Sequence, residues 1–338
     1  MRKCRMKRIV ECVPNFSEGR DAEVIASIVE AIRTAKADGE RVQVLNVDAG
    51  EAANRTVVTF IGEAEAVCEA AFRAVRTAGE LIDMRQQHGT HPRIGATDVL
   101  PLVPLSGITL EECASLARTL AERIYRELGI PCYCYEAAAF TPERRNLAVC
   151  RAGEYESLPE KMEDPLRRPD FGPAHYDERT ARTGASVVGA RDLLIAVNFN
   201  LDTTSVPLAH EIACDVREKG RKINGQWARG TLKGCKAIGW YIEEYGIAQV
   251  SMNITDIHAT PLHRAYDEVC RAAAARGAKV TGTEIIGLVP RSVLEEAGRF
   301  FAVSGERIAD GNLIGIAISS MHLDDLRPFN IEEKTLPI

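Results

Sequence analysis

Apolar and polar positions alternate with two different periods along this chain, and the switches between them mark its elements. Residues 9–16 form an apolar run of strand length. Ser17 and Glu18 then carry helix-start chemistry, and residues 22–34 follow a helical apolar period. Residues 42–47 and 55–61 are rich in β-branched side chains and predict strands. Ala64–Leu81 is alanine-rich, has no interior proline and predicts a long helix. Residues 98–104 predict a strand and 131–136 another. Between them lies a helix at 109–128, with Thr109 as cap and Glu111 and Glu112 in its first turn. The order is β-α-β-β-α-β with one further α-β.

Residues 154–183 break this pattern. They are rich in Pro, Glu, Arg and Asp, and a stretch of this length without periodicity reads as a domain boundary that also contributes to a site. The pattern then restarts, with strands at 192–199, 234–242, 248–254 and 279–288, and helices at 207–219, 261–276 and 291–297. The repeated β-α-β-β-α-β order predicts an α/β (α+β) protein of two ferredoxin-like, split βαβ sandwich subdomains, 1–188 and 189–330. Such sheets keep one face free of helices, so the expectation is that the two line a shared cleft.

Composition narrows the class. The 338 residues are 46% hydrophobic and 27% charged with a net charge of −6, which suits a packed globular protein and favours neither nucleic acid nor an anionic membrane. The basic start lacks the apolar run of a signal peptide, and no stretch reaches the roughly 18–20 apolar residues that span a bilayer. A cytoplasmic location follows as an expectation. The ten cysteines (4, 12, 68, 113, 132, 134, 150, 214, 235 and 270) then read as buried free thiols, with Cys132 and Cys134 sharing a strand face as the one pair suited to metal or redox chemistry. In that compartment the sequons at Asn15, Asn54 and Asn253 carry no sugar, so these asparagines need another role.

Phosphate-loop and dinucleotide fingerprints are absent, as are C-x-x-C, H-E-x-x-H and G-x-S-x-G, so neither a nucleotide nor a metal is expected. His210, His258 and His263 read as structural. The segment from His88 through His91, Arg93 and Gly95 to Asp98 stands apart. It combines an imidazole titrating near neutral pH, a fixed cation suited to a carboxylate, and an anion suited to orienting the imidazole. A polar turn with a capping histidine is the alternative. Two further polar clusters, Pro14–Gly19 by number 14–19 and Asp48 to Thr56 by number 48–56, follow strand-like runs in the same half.

These motifs resemble a known family. Glu11-Cys-Val-Pro-Asn-Phe-Ser-Glu-Gly19, Asp48-Ala-Gly50 with Asn54-Arg-Thr56, and Leu81-Ile-Asp-Met84 with His91-Pro-Arg-Ile-Gly95 are similar to glutamate formimidoyltransferase. So are Arg151-Ala-Gly-Glu-Tyr155, Pro169-Asp-Phe-Gly-Pro173, Gly189-Ala-Arg191, Gly239-Trp240, Ala248-Gln-Val-Ser251 and Gly287-Leu-Val-Pro290. The likeness runs in order over residues 9–325 and is nearest to the stand-alone bacterial form without a cyclodeaminase domain. It implies transfer of a formimino group from N-formimino-L-glutamate to N5 of tetrahydrofolate in histidine degradation, by a homodimer with tetrahydrofolate as co-substrate. It makes His91 the base and Asp48 its assistant. Asn15, Asn54, Arg55 and Arg93 are the candidates for the amino-acid substrate. It places folate at Gly172, Pro173, Ala174, His175, Tyr176, Asp177, Glu178, Arg179, Thr180, Ala181, Arg182, Thr183 and Gly184, a stretch slightly longer here than in the family and different in most of its residues. Arg179, Arg182 and Arg191 are the folate-side cations. The same base would also serve formyl transfer involving 5-formyltetrahydrofolate or N-formylglutamate, and a folate-binding protein without turnover is the reading from another class.

Overall fold

The computed structural model describes residues 7–37, 39–302 and 312–336; Cys4, read above as a buried thiol, lies outside them. Contacts divide the chain into two units, Met1–Asp192 and Leu193–Ile338.

In the first unit, the apolar run at 9–16 is split into β1 (Ile9–Cys12) and β2 (Asn15–Phe16). Pro14 lies at the break, where its missing N–H costs no ladder bond. There follow α1 (Ala22–Arg33), β3 (Gln43–Gly50), β4 (Arg55–Glu63), α2 (Ala64–Leu81), β5 (Thr97–Ser106), α3 (Leu110–Leu128) and β6 (Cys132–Glu136). The antiparallel order β3, β4, β1/β2, β5 is that of a split βαβ unit. One helix start is corrected. Asp21, not Ser17, caps α1, accepting from the Glu23 and Val24 amides, while the Ser17 hydroxyl donates to Gly95 O at 2.8 Å. At α3, Thr109 and Glu112 form a complete capping box.

Alternation along the strands sends Val10, Cys12, Phe16, Val58, Phe60, Leu100 and Leu102 to one face. There α2 buries Ala66, Ala70, Ala71, Ala74 and Ala78, whose small side chains let it lie close. Cys132 and Cys134 share this packed face. Burial pushes both thiols up, that of Cys134 to about 12, so they act as apolar packing groups.

The expectation that 154–183 is an irregular domain boundary is overturned. The stretch is part of the first unit, folded as a 3₁₀ turn (Tyr155–Ser157) and two short helices, α4 (Leu158–Glu163) and α5 (Glu178–Thr183). After it comes β7 (Ser186–Ala190), which pairs parallel with both β5 and β6, and position 188 falls inside this strand. β7 is buried at every position, so its sequence shows no alternation.

The second unit repeats the first unit's core order with β8 (Ile195–Leu201), α6 (Val206–Val216), β9 (Cys235–Ile242), β10 (Ile247–Ile254), α7 (Leu262–Ala274) and β11 (Val280–Ile286). Its antiparallel sheet runs β9, β10, β8, β11. Val197, Phe199, Met252 and Val250 face α6 and α7 in the core, and α8 (Arg291–Phe301) and α9 (Leu313–Met321) add a helix pair. His263 stacks on Phe300 with ring centroids 4.4 Å apart.

Candidate active site

The helix-free face of the first sheet carries the predicted residues. Asp48, Val57, Asn15, Val99, Val187 and Tyr133 lie in register across β3, β4, β2, β5, β7 and β6, so their side chains share that face. Toward β7 and β6 it is apolar and covered, with Val99, Val187, Tyr133 and Tyr135 packed under Cys150 and Leu158. Toward β3 and β4 it is polar. Arg55, two residues before Val57, points the same way.

Asp98 organises this polar end. Its carboxylate is fully buried, and one oxygen accepts from the Ile94 amide at 2.9 Å. The other meets Arg55 Nη1 at 2.5 Å and Arg151 Nη2 at 2.8 Å. Arg55 Nε donates to Asn15 Oδ1 at 3.0 Å, and Asn15 Nδ2 to Val13 O at 2.8 Å, so Asn15 orients the guanidinium. Arg151 Nε is buried without a hydrogen-bond partner. Two cations thus share one anion, leaving a net positive charge in a poorly solvated place. Burial pulls Arg55 down to about 10, with Arg151 adding to the fall and Asp98 opposing it. Burial alone would raise Asp98, but Arg151 and Arg55 hold it below the ordinary carboxylate range.

His91 stands in the field of this cluster. Its Nδ1 lies 2.7 Å from Pro92 O, an acceptor only, so Nδ1 carries the proton and Nε2 the lone pair. Burial, then Arg55 and Arg151, push its pKa well below the usual histidine value, against the pull of Asp98. The imidazole is therefore neutral at neutral pH.

The loop holding His91 is braced at both ends. A Cβ on Gly89 would sit 2.1 Å from Ala53 O, and one on Gly95 2.2 Å from Ala185 O, so both glycines serve close backbone approach. Met84 N donates to Arg182 O, Ala96 N to Thr183 O and Ala185 N to Ile94 O. The end of the predicted folate stretch thereby clamps the loop. His88 is exposed, and its carbonyl accepts from Asn54 at 3.1 Å.

Several sequence candidates prove to have internal partners. Asn54, in the left-handed region at φ 47°, accepts from Gly19 N and donates to Gln87 and the His88 carbonyl. It ties loops together. Glu154, Glu156 and Gln87 O take up the Arg93 guanidinium. Arg179 and Arg182, expected on the folate side, donate to Leu128 O and Glu80 O at the ends of α3 and α2, where carbonyls lack helical partners. Of the other residues at 172–184, Asp177 caps α5, Tyr176 Oη donates to Tyr155 Oη, and exposed His175 lies 3.2 Å from Glu163. Arg191 Nη1 donates to Asp192 O. Asp48 lies half-buried on the polar end of the sheet face. Arg151 is the residue that sequence reasoning passed over. Its Arg-Ala-Gly motif was visible, but nothing local to it pointed to Asp98.

Comparison with known proteins gives two family matches, the formiminotransferase domain, N-terminal subdomain, over residues 9–191, and the formiminotransferase domain over residues 196–337. A formimidoyltransferase-cyclodeaminase of Gallus gallus is 46% identical over 98% of this chain, which spans 60% of that relative's length. A glutamate formimidoyltransferase of Streptococcus pyogenes serotype M1 is 41% identical, with 88% of this chain and 94% of the relative covered. One of the same name from Thermoplasma acidophilum is 40% identical over 87% of this chain and 92% of its own. With both subdomain models matched in order over nearly its whole length, the chain belongs to the formiminotransferase domain family.

Proposed function

We propose that the protein transfers the formimino group of N-formimino-L-glutamate to N5 of tetrahydrofolate, giving L-glutamate and 5-formiminotetrahydrofolate, as a step of histidine degradation. The observation that carries this reading is a neutral imidazole, with its lone pair on Nε2, beside the Arg55–Asp98–Arg151 cluster and its surplus positive charge. Relatives named glutamate formimidoyltransferase support the donor and the group moved.

In this reading a carboxylate of the donor binds the surplus charge, with the Arg151 Nε as its spare hydrogen-bond donor. Asp48 faces the cationic amidinium. As folate N5 attacks the amidine carbon, His91 Nε2 accepts the N5 proton. The C–N bond to glutamate then breaks while the imidazolium returns that proton to the departing nitrogen. Such acid–base help contributes about 10²–10⁴-fold, and the rest comes from holding two substrates in one geometry. Donor binding also neutralises the two arginines in part, which lifts the His91 pKa toward the range where one group both takes and gives a proton.

The reading extends to a homodimer in the cytoplasm, acting on small molecules. No helix among the described residues is long and apolar enough to cross a membrane. The test mixes the protein with formiminoglutamate and tetrahydrofolate and follows the folate product by absorbance, with formyl donors in parallel. Turnover with the formimino donor is expected. Folate binding without turnover, or turnover with formyl donors alone, refutes the reading. Light scattering tests the dimer.

A further inference from the structure

One buried carboxylate on the helix-free face of the first sheet has no part in the cluster around Asp98. Glu11 in β1 lies opposite Ile61 of β4, and Asn15 lies opposite Val57 of the same strand. Ile61 and Val57 are four positions apart, so Glu11 shares the face of Asn15 and Asp48, while its neighbours Val10 and Cys12 point into the core. Glu11 is 4% exposed, yet no hydrogen bond or ion pair from any described residue reaches its carboxylate. Leaving a carboxylate buried without donors is costly. Burial pushes its carboxyl up to about 7, against the pull of Arg191. Arg191 itself turns to Tyr135 and to Asp192 O.

We infer that Glu11 receives the paired N–H groups on the edge of the 2-amino-4-oxopyrimidine ring of the folate substrate, an inference that rests on the folate reading above. That edge carries two parallel donors, the 2-amino group and N3–H, and a carboxylate offers two acceptors at matching spacing. Glu11 in β1 and Asp48 in β3 flank β4 and share its helix-free face, four residues apart along it.

The test measures binding of 5-formyltetrahydrofolate, and of an analogue whose 2-amino group is replaced by methyl, to the unmutated protein and to Glu11→Gln. The unmutated protein should bind the analogue about 10- to 100-fold more weakly than the parent. Glu11→Gln should bind the parent weaker by a similar factor, no longer tell the two apart, and raise KM for folate but not for the amino-acid donor. Equal binding of both compounds by the unmutated protein overturns the inference while leaving the folate reading intact, and needs no variant to fold. Parent binding unchanged in Glu11→Gln overturns it too. If the unmutated protein binds neither compound, the folate reading falls and the assignment of Glu11 with it.

Discussion

Replacing Arg151 by Met separates the two jobs assigned to the Arg55–Asp98–Arg151 cluster. The side chain is 13% exposed, and its Nη2 lies 2.8 Å from Asp98, which places the charge centres near contact. At an effective dielectric constant near 20, two unit charges about 4 Å apart attract by roughly 4 kcal/mol. Not all of this is lost, because Asp98 keeps Arg55 at 2.5 Å and the Ile94 amide at 2.9 Å, and a buried guanidinium no longer has to be desolvated. The net cost in folding stability is about 1–3 kcal/mol. Donor binding loses a charge-assisted bond, so KM for formiminoglutamate rises about 10- to 100-fold. The sign of the pH effect is the sharper test. Arg151 depresses the His91 pKa, and the base must be neutral, so the acid limb of kcat/KM moves to higher pH when Arg151 is removed. Arg151→Lys keeps the charge and returns the limb toward its original position, while KM recovers only in part because the planar fork is gone. Steady-state kinetics from pH 5 to 8 decide the matter. An acid limb that stays in place, or moves down, in Arg151→Met refutes the electrostatic account of His91.

Other outcomes follow from the same geometry. His91→Ala should lower kcat by about 10²–10⁴-fold; retention of most of the rate would remove His91 as the base. Because the folded-state pKa of His91 is depressed, its contribution to stability is fully present above the unfolded value of about 6.5 and is lost as pH falls from there toward the folded value. Urea unfolding at pH 7.5 and 5.5 should show that decline, and His91→Gln should flatten it. Thr109→Ala removes the α3 cap and should cost about 1 kcal/mol in urea unfolding with kinetics unchanged. Gly95→Ala forces a Cβ against Ala185 O, so it should cost about 1–3 kcal/mol and lower kcat by displacing the His91 loop. A stable, fully active Gly95→Ala would show that the close approach is dispensable.

Much of the fold was legible because local and global signals agree. Ala64–Leu81 has its predicted bounds, since alanine propensity and the apolar stripe both end where Ile82 turns extended. The repeated β-α-β-β-α-β order appears in both units. The stretch at 154–183 misled because its helices hold to the sheet through a few residues, Leu158 among them, too few to set a period. β7 was missed because a short strand buried on both faces and paired in parallel with β5 and β6 leaves no alternation to read. At the site, His91 and Asp98 lie in one segment and were read together. Arg151 was passed over because its reach to Asp98, more than fifty positions upstream, belongs to tertiary pairing, as does the pairing of Arg93 with Glu154 and Glu156; residue type and spacing do not encode either.

The clamp between the end of residues 172–184 and the His91 loop also sets where this chain could take extra residues. From Asp177 onward the chain is fixed on successive residues: Asp177 caps α5, Arg182 and Thr183 hold Met84 and Ala96, and Gly184 faces Gly95. An added residue there would put these bonds out of register and carry His91 with them. Ala174 and His175 are exposed, and Asp177 starts a helix whatever precedes it. Insertions are therefore absorbed upstream of Asp177, where extra chain costs little. Extra or altered residues upstream of Asp177 would leave His91 where it is.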